Sequence, residues 1–249
     1  MTRAAFHKHF KAPGPVVLPV IHVLDAARTR ENIAIAIGEG APGCFLINHD
    51  FGVDAFLPII EAARAAHPSY WIGVNFLAVT GKDAFPTLAR LTQEGAVIDA
   101  YWADDARIDE ASDVQPEAEA IAAARAGCGW GGLYFGGTAF KKQRRVAEAD
   151  HGAAAALATR YMDVVTTSGV ATGEAADDAK IAAFRTAIGD RPLALASGVT
   201  PANAPRYADV DAFLVATGIN REGDFYTIDP ARLSALVRVT RQLGGGRVA

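Results

Sequence analysis

Three short turns in the second half of the chain pair glycine with a hydroxyl. They read TSGVATG (167–173), ASGVT (196–200) and ATG (216–218). A phosphate is held by several converging main-chain N–H donors, and glycine lets the backbone come that close. A hydroxyl beside the glycine adds a donor, and a helix starting after the turn adds a favourable dipole. One such turn needs glycine for geometry alone, but three in succession point to an anion site. The candidate ligand contacts are Ser168, Gly169, Thr172, Gly173, Ser197, Gly198, Val199, Thr217 and Gly218, with Asn75 upstream.

Proton transfer requires groups whose pKa can be tuned by burial, and three residues qualify: His22, Asp104 and Lys141. Each also has a plainer reading. A lone histidine in an apolar run is commonly a hydrogen-bonded core residue, and Asp104 and Asp105 could cap a helix. Lys141 heads the one cationic cluster, with Lys142, Arg144 and Arg145, which reads most simply as a solvated loop. His22, His49 and Asp50 could meet as a metal site, although the expectation is a chain without metal or organic cofactor. No nucleophile elbow, Walker loop or HExxH occurs.

These residues need a scaffold, and the chain supplies eight rounds of a short apolar run followed by an alanine-rich segment of helical period. The runs lie at 16–23, 44–48, 70–77, 97–102, 132–135, 162–167, 192–196 and 212–216. Helices are expected near 26–39, 54–66, 83–93, 116–126, 149–160, 177–188 and 229–242, with a brief one after Thr200. Nearly all-apolar runs suit a parallel sheet covered by helices. A length of 249 residues fits one (β/α)₈ TIM barrel spanning 1–249, with 1–15 as an N-terminal extension. A doubly wound open sheet competes, but no GxGxxG follows the first run. In a barrel the strand C-termini form the working face, and every candidate above falls there. Trp71, Trp102 and Trp130 read as packing between strands and helices.

Composition narrows the partners. The formal charge is -4, without the basic excess that nucleic acid or an anionic membrane would attract. No apolar run of spanning length is present, the first fifteen residues lack the apolar core expected of a secretory signal, and the two cysteines make no disulfide framework. These features predict a cytoplasmic protein with a small phosphorylated ligand, no nucleic-acid or membrane partner, and a symmetric homo-oligomer as the default assembly.

Three stretches carry a likeness to a known family: FKKQ (140–143) with DVVTTSGVATG (163–173), LALASGVTPANA (193–204), and ADVDAFLVATGINREGDFYTIDPARL (208–233). They resemble the BtpA/SgcQ family of barrels. That family shows a lysine after strand five, an SGxxTG turn after strand six and an SGVTPEN-like turn after strand seven. A closing VDxxR motif follows. Lys141, Ser168, Gly169, Thr172, Gly173, Ser197, Gly198, Asn203, Thr217, Asp229 and Arg232 fall on those positions. The first half departs: IHVLD (21–25) lacks the family's proline-glycine continuation, and NHDFG (48–52) replaces an acidic-Asn motif. The resemblance implies a barrel like the phosphate-binding ones. One branch of the family is linked to photosystem I assembly and another to sugar-metabolism gene clusters.

Three functions follow as expectations. The first is an isomerase or lyase acting on a phosphorylated sugar, with Asp104 or His22 moving the proton and Lys141 stabilising negative charge. The second is a non-catalytic barrel serving assembly or regulation, and the third a metal-dependent hydrolase or lyase.

Overall fold

In the computed structural model, which describes residues 1–245, eight parallel strands close into a barrel in chain order. They are β1 (Val16–Val23), β2 (Gly43–Asn48), β3 (Trp71–Asn75), β4 (Ala100–Ala103), β5 (Leu133–Gly137), β6 (Val164–Ser168), β7 (Leu193–Ala196) and β8 (Ala212–Val215). The seam pairs Val16 with Ala212 and Pro19 with Val215, which excludes the open sheet. The helices are α1 (Arg3–Phe10), α2 (Ala26–Gly38), α3 (Val53–Ala66), α4 (Gly81–Gln93), α5 (Pro116–Cys128), α6 (His151–Ala158), α7 (Asp178–Ile188) and α8 (Pro230–Gly245). Only a 3₁₀ turn, Ala204–Tyr207, joins β7 to β8. The chain is therefore a (β/α)₈ TIM barrel. Among the described residues no helix is long and apolar enough to cross a membrane.

Side chains along each strand alternate between the barrel interior and the helical layer. Val16, Leu18 and Val20 of β1, Phe45 and Ile47 of β2, Trp71, Trp102 and Phe135 fill the interior. Val17, Ile21, Leu46, Val74, Tyr101 and Phe213 face the helices. The expected role of the tryptophans therefore holds for Trp130, which packs in the helical layer, and fails for Trp71 and Trp102. Gly73 is part of that interior packing, because a Cβ there would lie 2.3 Å from the Phe45 ring. The fourth strand starts at Ala100, three residues later than expected, because the apolar Val97 and Ile98 precede it without pairing as strand residues.

Asp99 accepts the Ile72 N–H at 2.8 Å and pairs with Arg64 of α3. Asp163, just before β6, accepts the Tyr134 N–H at 2.9 Å and pairs with Arg125 of α5. Asp211, just before β8, accepts the Leu193 N–H at 2.9 Å and pairs with Arg185 of α7. One latch thus repeats before β4, β6 and β8 on the N-terminal face. The third is elaborated: Arg3 and His7 of α1 also reach Asp211, each at 2.8 Å. Between them α1 inserts Phe6 and Phe10 into the base of the barrel, against Phe135 and Trp71. The segment read as an extension therefore carries the helix that stoppers the barrel floor.

Candidate functional site

The strand alternation that packs the interior also selects what faces the mouth. Continuing each inward row upward gives His22 on β1, Asn75 on β3, Asp104 just past β4 and Ser168 on β6. Asn75 is buried and donates through Nδ2 to Asp104 Oδ1 at 3.1 Å, while its own Oδ1 is buried without a partner. Burial pushes the Asp104 carboxyl above the ordinary aspartate value, against the opposing pull of Asn75, Lys141 and Lys142. The neighbouring Asp105 is held by Arg107 and does not share this position. Lys141 follows β5, and its backbone N–H donates to Ser168 Oγ at 2.8 Å. Burial pulls its ammonium pKa down, with Asp104 opposing and Lys142 reinforcing. Its charge acts on both Asp104 and His22.

His22 is covered. The loop between β8 and α8 lays Phe225 flat on its ring, with centroids 3.7 Å apart, and His22 Nδ1 contacts the Phe225 carbonyl at 3.0 Å. His49 packs edge-on against both rings, and the Tyr226 hydroxyl donates to Asp50. His22, His49 and Asp50 thus meet as an aromatic stack with a latch, and among the described residues no three such side chains are placed to hold a metal. Burial, aided by His49, lowers the His22 pKa from 6.5 to about 4. A depressed folded-state pKa stabilises above the unfolded value and is lost as pH falls. Stability is therefore expected to drop between about pH 6.5 and 4, by ~3 kcal/mol from this group. Denaturant titrations of wild type and His22→Gln across that range check it, the variant losing less. Parallel losses in the two proteins would assign the acid sensitivity elsewhere.

The three glycine turns are brought together. A Cβ on Gly169 or Gly198 would meet the backbone of Glu174, at 2.4 and 2.2 Å, and one on Gly218 would meet the Val199 carbonyl at 2.2 Å. Close packing of turn on turn thus already requires these glycines. Gly173 lies beside Thr217, both exposed, so the β6 turn also reaches the β8 turn. Val199 contributes only backbone, since its side chain is core. In the β7 turn Thr200 and Asn203 bond each other, and Asn203 holds the Gly198 carbonyl at 2.7 Å. This fixes the turn and leaves the amides of Gly198, Val199 and Gly218 without acceptors among the described residues. Ser197 stands at φ 71, a left-handed conformation a non-glycine residue rarely adopts, and its Oγ is buried without a partner. Asp229 caps α8, and Arg232 holds the Asn220 carbonyl, so the closing motif fixes the β8 loop.

Two contributors escaped the sequence reading. Phe225 is one, 42% exposed on a loop yet lying over His22; an aromatic in a polar loop was its only signal. Lys180 is the other: from α7 its Nζ donates to the Ala139 and Ser168 carbonyls, at 2.6 and 2.8 Å. It ties the end of β6 to the loop that carries Lys141. No spacing in the sequence marks it.

No family model matches the chain, and no curated protein matches it in sequence, so the BtpA/SgcQ resemblance rests on its motifs alone. Solved structures do superpose on it. Phosphoribosyl anthranilate isomerase from Thermus thermophilus covers 92% of this chain and 99% of its own at 16% identity, with a TM-score of 0.61. The tryptophan synthase alpha chain from Legionella pneumophila subsp. pneumophila covers 99% and 98% at 15% identity, with a TM-score of 0.63. 2-Keto-3-deoxy-6-phospho-gluconate aldolase from Zymomonas mobilis covers 95% and 96% at 13% identity, with a TM-score of 0.58. Likeness at these identities extends to the fold: the chain shares its TIM barrel with enzymes of which two are named for phosphorylated substrates.

Proposed function

We propose that the chain is an isomerase or lyase acting on a phosphorylated sugar or related metabolite held at the C-terminal mouth. The observation that carries this reading is the buried Asp104, bonded by Asn75 and with its carboxyl pKa raised by burial, within the field of Lys141, whose ammonium pKa burial lowers. Groups tuned toward each other in this way suit proton transfer near neutral pH. The phosphate would be held by the free amides of Gly198, Val199 and Gly218, with the Ser197 and Thr217 hydroxyls beside them. The unpartnered Asn75 Oδ1 would accept a sugar hydroxyl. Asp104 would then remove a proton from the carbon next to a carbonyl, while Lys141 stabilises the charge developing on that oxygen. In an isomerase Asp104 returns the proton to the neighbouring carbon. In a lyase the electron pair expels a leaving group instead. His22, neutral under Phe225, would bound the far side of the mouth. The names of the structural neighbours and the BtpA/SgcQ-like motifs support the same face, although a shared barrel never fixes a reaction.

Thermal unfolding against pentose and hexose phosphates tests the reading. A ligand at a hundred times its Kd stabilises by about 2.7 kcal/mol, a rise of about 5–10 °C in Tm for a domain this large. The rise is expected with wild type and is expected to vanish in Ser197→Leu. A second reading, a docking barrel without catalysis, is favoured by the exposed Leu24, Leu77, Val170 and Phe225 around the mouth. A flat response to every phosphate would leave that second reading in front.

A further inference from the structure

A concavity of about 830 Å³ lies between the β5–α6 and β6–α7 loops. Six cations line it (Lys141, Lys142, Arg144, Arg145, Lys180 and Arg206) against two carboxylates, Glu148 and Asp177. The chain as a whole carries a net charge of -4, so this concentration of positive charge is local.

Three of the cations are already committed. Arg144 pairs with Asp109 and Glu110, Arg206 with Asp178, and Lys180 with two carbonyls. Lys141, Lys142 and Arg145 have no carboxylate within ion-pair distance among the described residues. The Gln143 Nε2, also in the wall, is buried without an acceptor. Like charges crowded in a concave, partly desolvated wall repel one another, and an anion relieves that repulsion. Burial has already lowered the Lys180 pKa to about 8.

The cleft adjoins the loops that carry Lys141 and the first glycine turn. Ser168 and Gly169, from the first glycine turn, form part of its wall together with Lys141, whose charge also acts on Asp104. A cavity of several hundred Å³ accommodates an organic metabolite.

We infer that this cleft takes a second anionic group of the same ligand, so that the substrate carries two separate anionic groups: a sugar bisphosphate or a phosphorylated sugar acid. The inference rests on the phosphate reading of the β6–β8 turns. Lys141 then lies between the reacting carbon and the second anion, and the cleft selects for ligand length and charge.

Calorimetric titration with hexose 6-phosphate, hexose 1,6-bisphosphate and 6-phosphogluconate tests it, on wild type, on Lys142→Gln/Arg145→Gln and on Ser197→Leu. Lys142 and Arg145 are exposed, so the double variant is expected to keep the wild-type Tm. At least one of the two probes with a second anionic group is expected to bind wild type tenfold or more tighter than hexose 6-phosphate. A preference for the bisphosphate assigns phosphate to the cleft; a preference for phosphogluconate assigns carboxylate. In the double variant the ratio is expected to fall to within about twofold of unity. A change in the field at Asp104 would move all probes together and leave the ratio unchanged. Equal affinities on wild type, or an advantage the double variant keeps, would overturn the inference. Failure of the phosphate reading shows separately, as hexose 6-phosphate binding that ignores Ser197→Leu.

Discussion

Asp104→Asn is expected to lower turnover of the accepted sugar phosphate by about 10²–10⁴-fold, the range for loss of one positioned proton-transfer group. Asparagine has nearly the same shape and can still accept the Asn75 hydrogen bond, so the binding geometry should persist and KM should move little. The stability effect has the opposite sign. A carboxyl whose folded pKa lies above its unfolded value favours the fold at low pH and weakens it as pH rises through that value. Removing the charge is therefore expected to hold or raise Tm at neutral pH. A fall in kcat at unchanged or higher Tm separates chemistry from folding, and the combination is typical of sites that trade stability for activity. Steady-state kinetics with a melting curve on the same sample decides the matter. Unchanged kcat would remove Asp104 from the reaction.

Asp211→Ala should be the most damaging single change on the opposite face. The side chain is fully buried and accepts from Arg3, His7, Arg185 and the Leu193 N–H. Burial alone would raise its pKa, but His7, the Leu193 N–H and Arg3 together hold the carboxyl below the ordinary value. Removing one partner from a buried ionic cluster leaves the others uncompensated, which costs about 3–5 kcal/mol. For a domain of this size that corresponds to a fall of roughly 6–20 °C in Tm. The loss includes undocking of α1, whose Phe6 and Phe10 close the barrel floor. Ligand affinity per folded molecule is expected to stay near wild type, because the mouth is at the other end of the strands. A Tm within a degree or two of wild type would show that α1 docks without the latch.

The barrel is legible because a parallel sheet buried on both faces leaves eight apolar runs, and the first of them coincides with β1, 16–23. The same property hid which way each side chain points. Where both faces are apolar, nothing in the sequence distinguishes them, and Trp71 and Trp102 lie in the barrel interior rather than in the helical layer their sequence suggests. The start of β4 was misplaced because Val97 and Ile98 are apolar although they precede the strand; Val97 is 50% exposed. At the site, adjacency of the three glycine turns was legible because strand order follows chain order. Their packing on one another was not, since it depends on how far the β6 loop folds back through Glu174 and Ala175. The Asn75–Asp104 bond joins residues 29 apart and appears only when the inward rows of β3 and β4 are aligned. The α1 stopper left one trace, Phe6 and Phe10 one helical turn apart in an otherwise polar segment. The Asp–Arg latches left none, because each links a loop, a strand and a helix that are distant in sequence.

A crystal structure with bound hexose 6-phosphate tests the phosphate site most directly. The expected result is the phosphate at the joined β6–β8 turns, within hydrogen-bond distance of the amides of Gly198 and Gly218, with the sugar reaching toward Asn75 and Asp104. A phosphate bound elsewhere on the barrel, with those amides still free, would contradict the site and the reaction proposed for it.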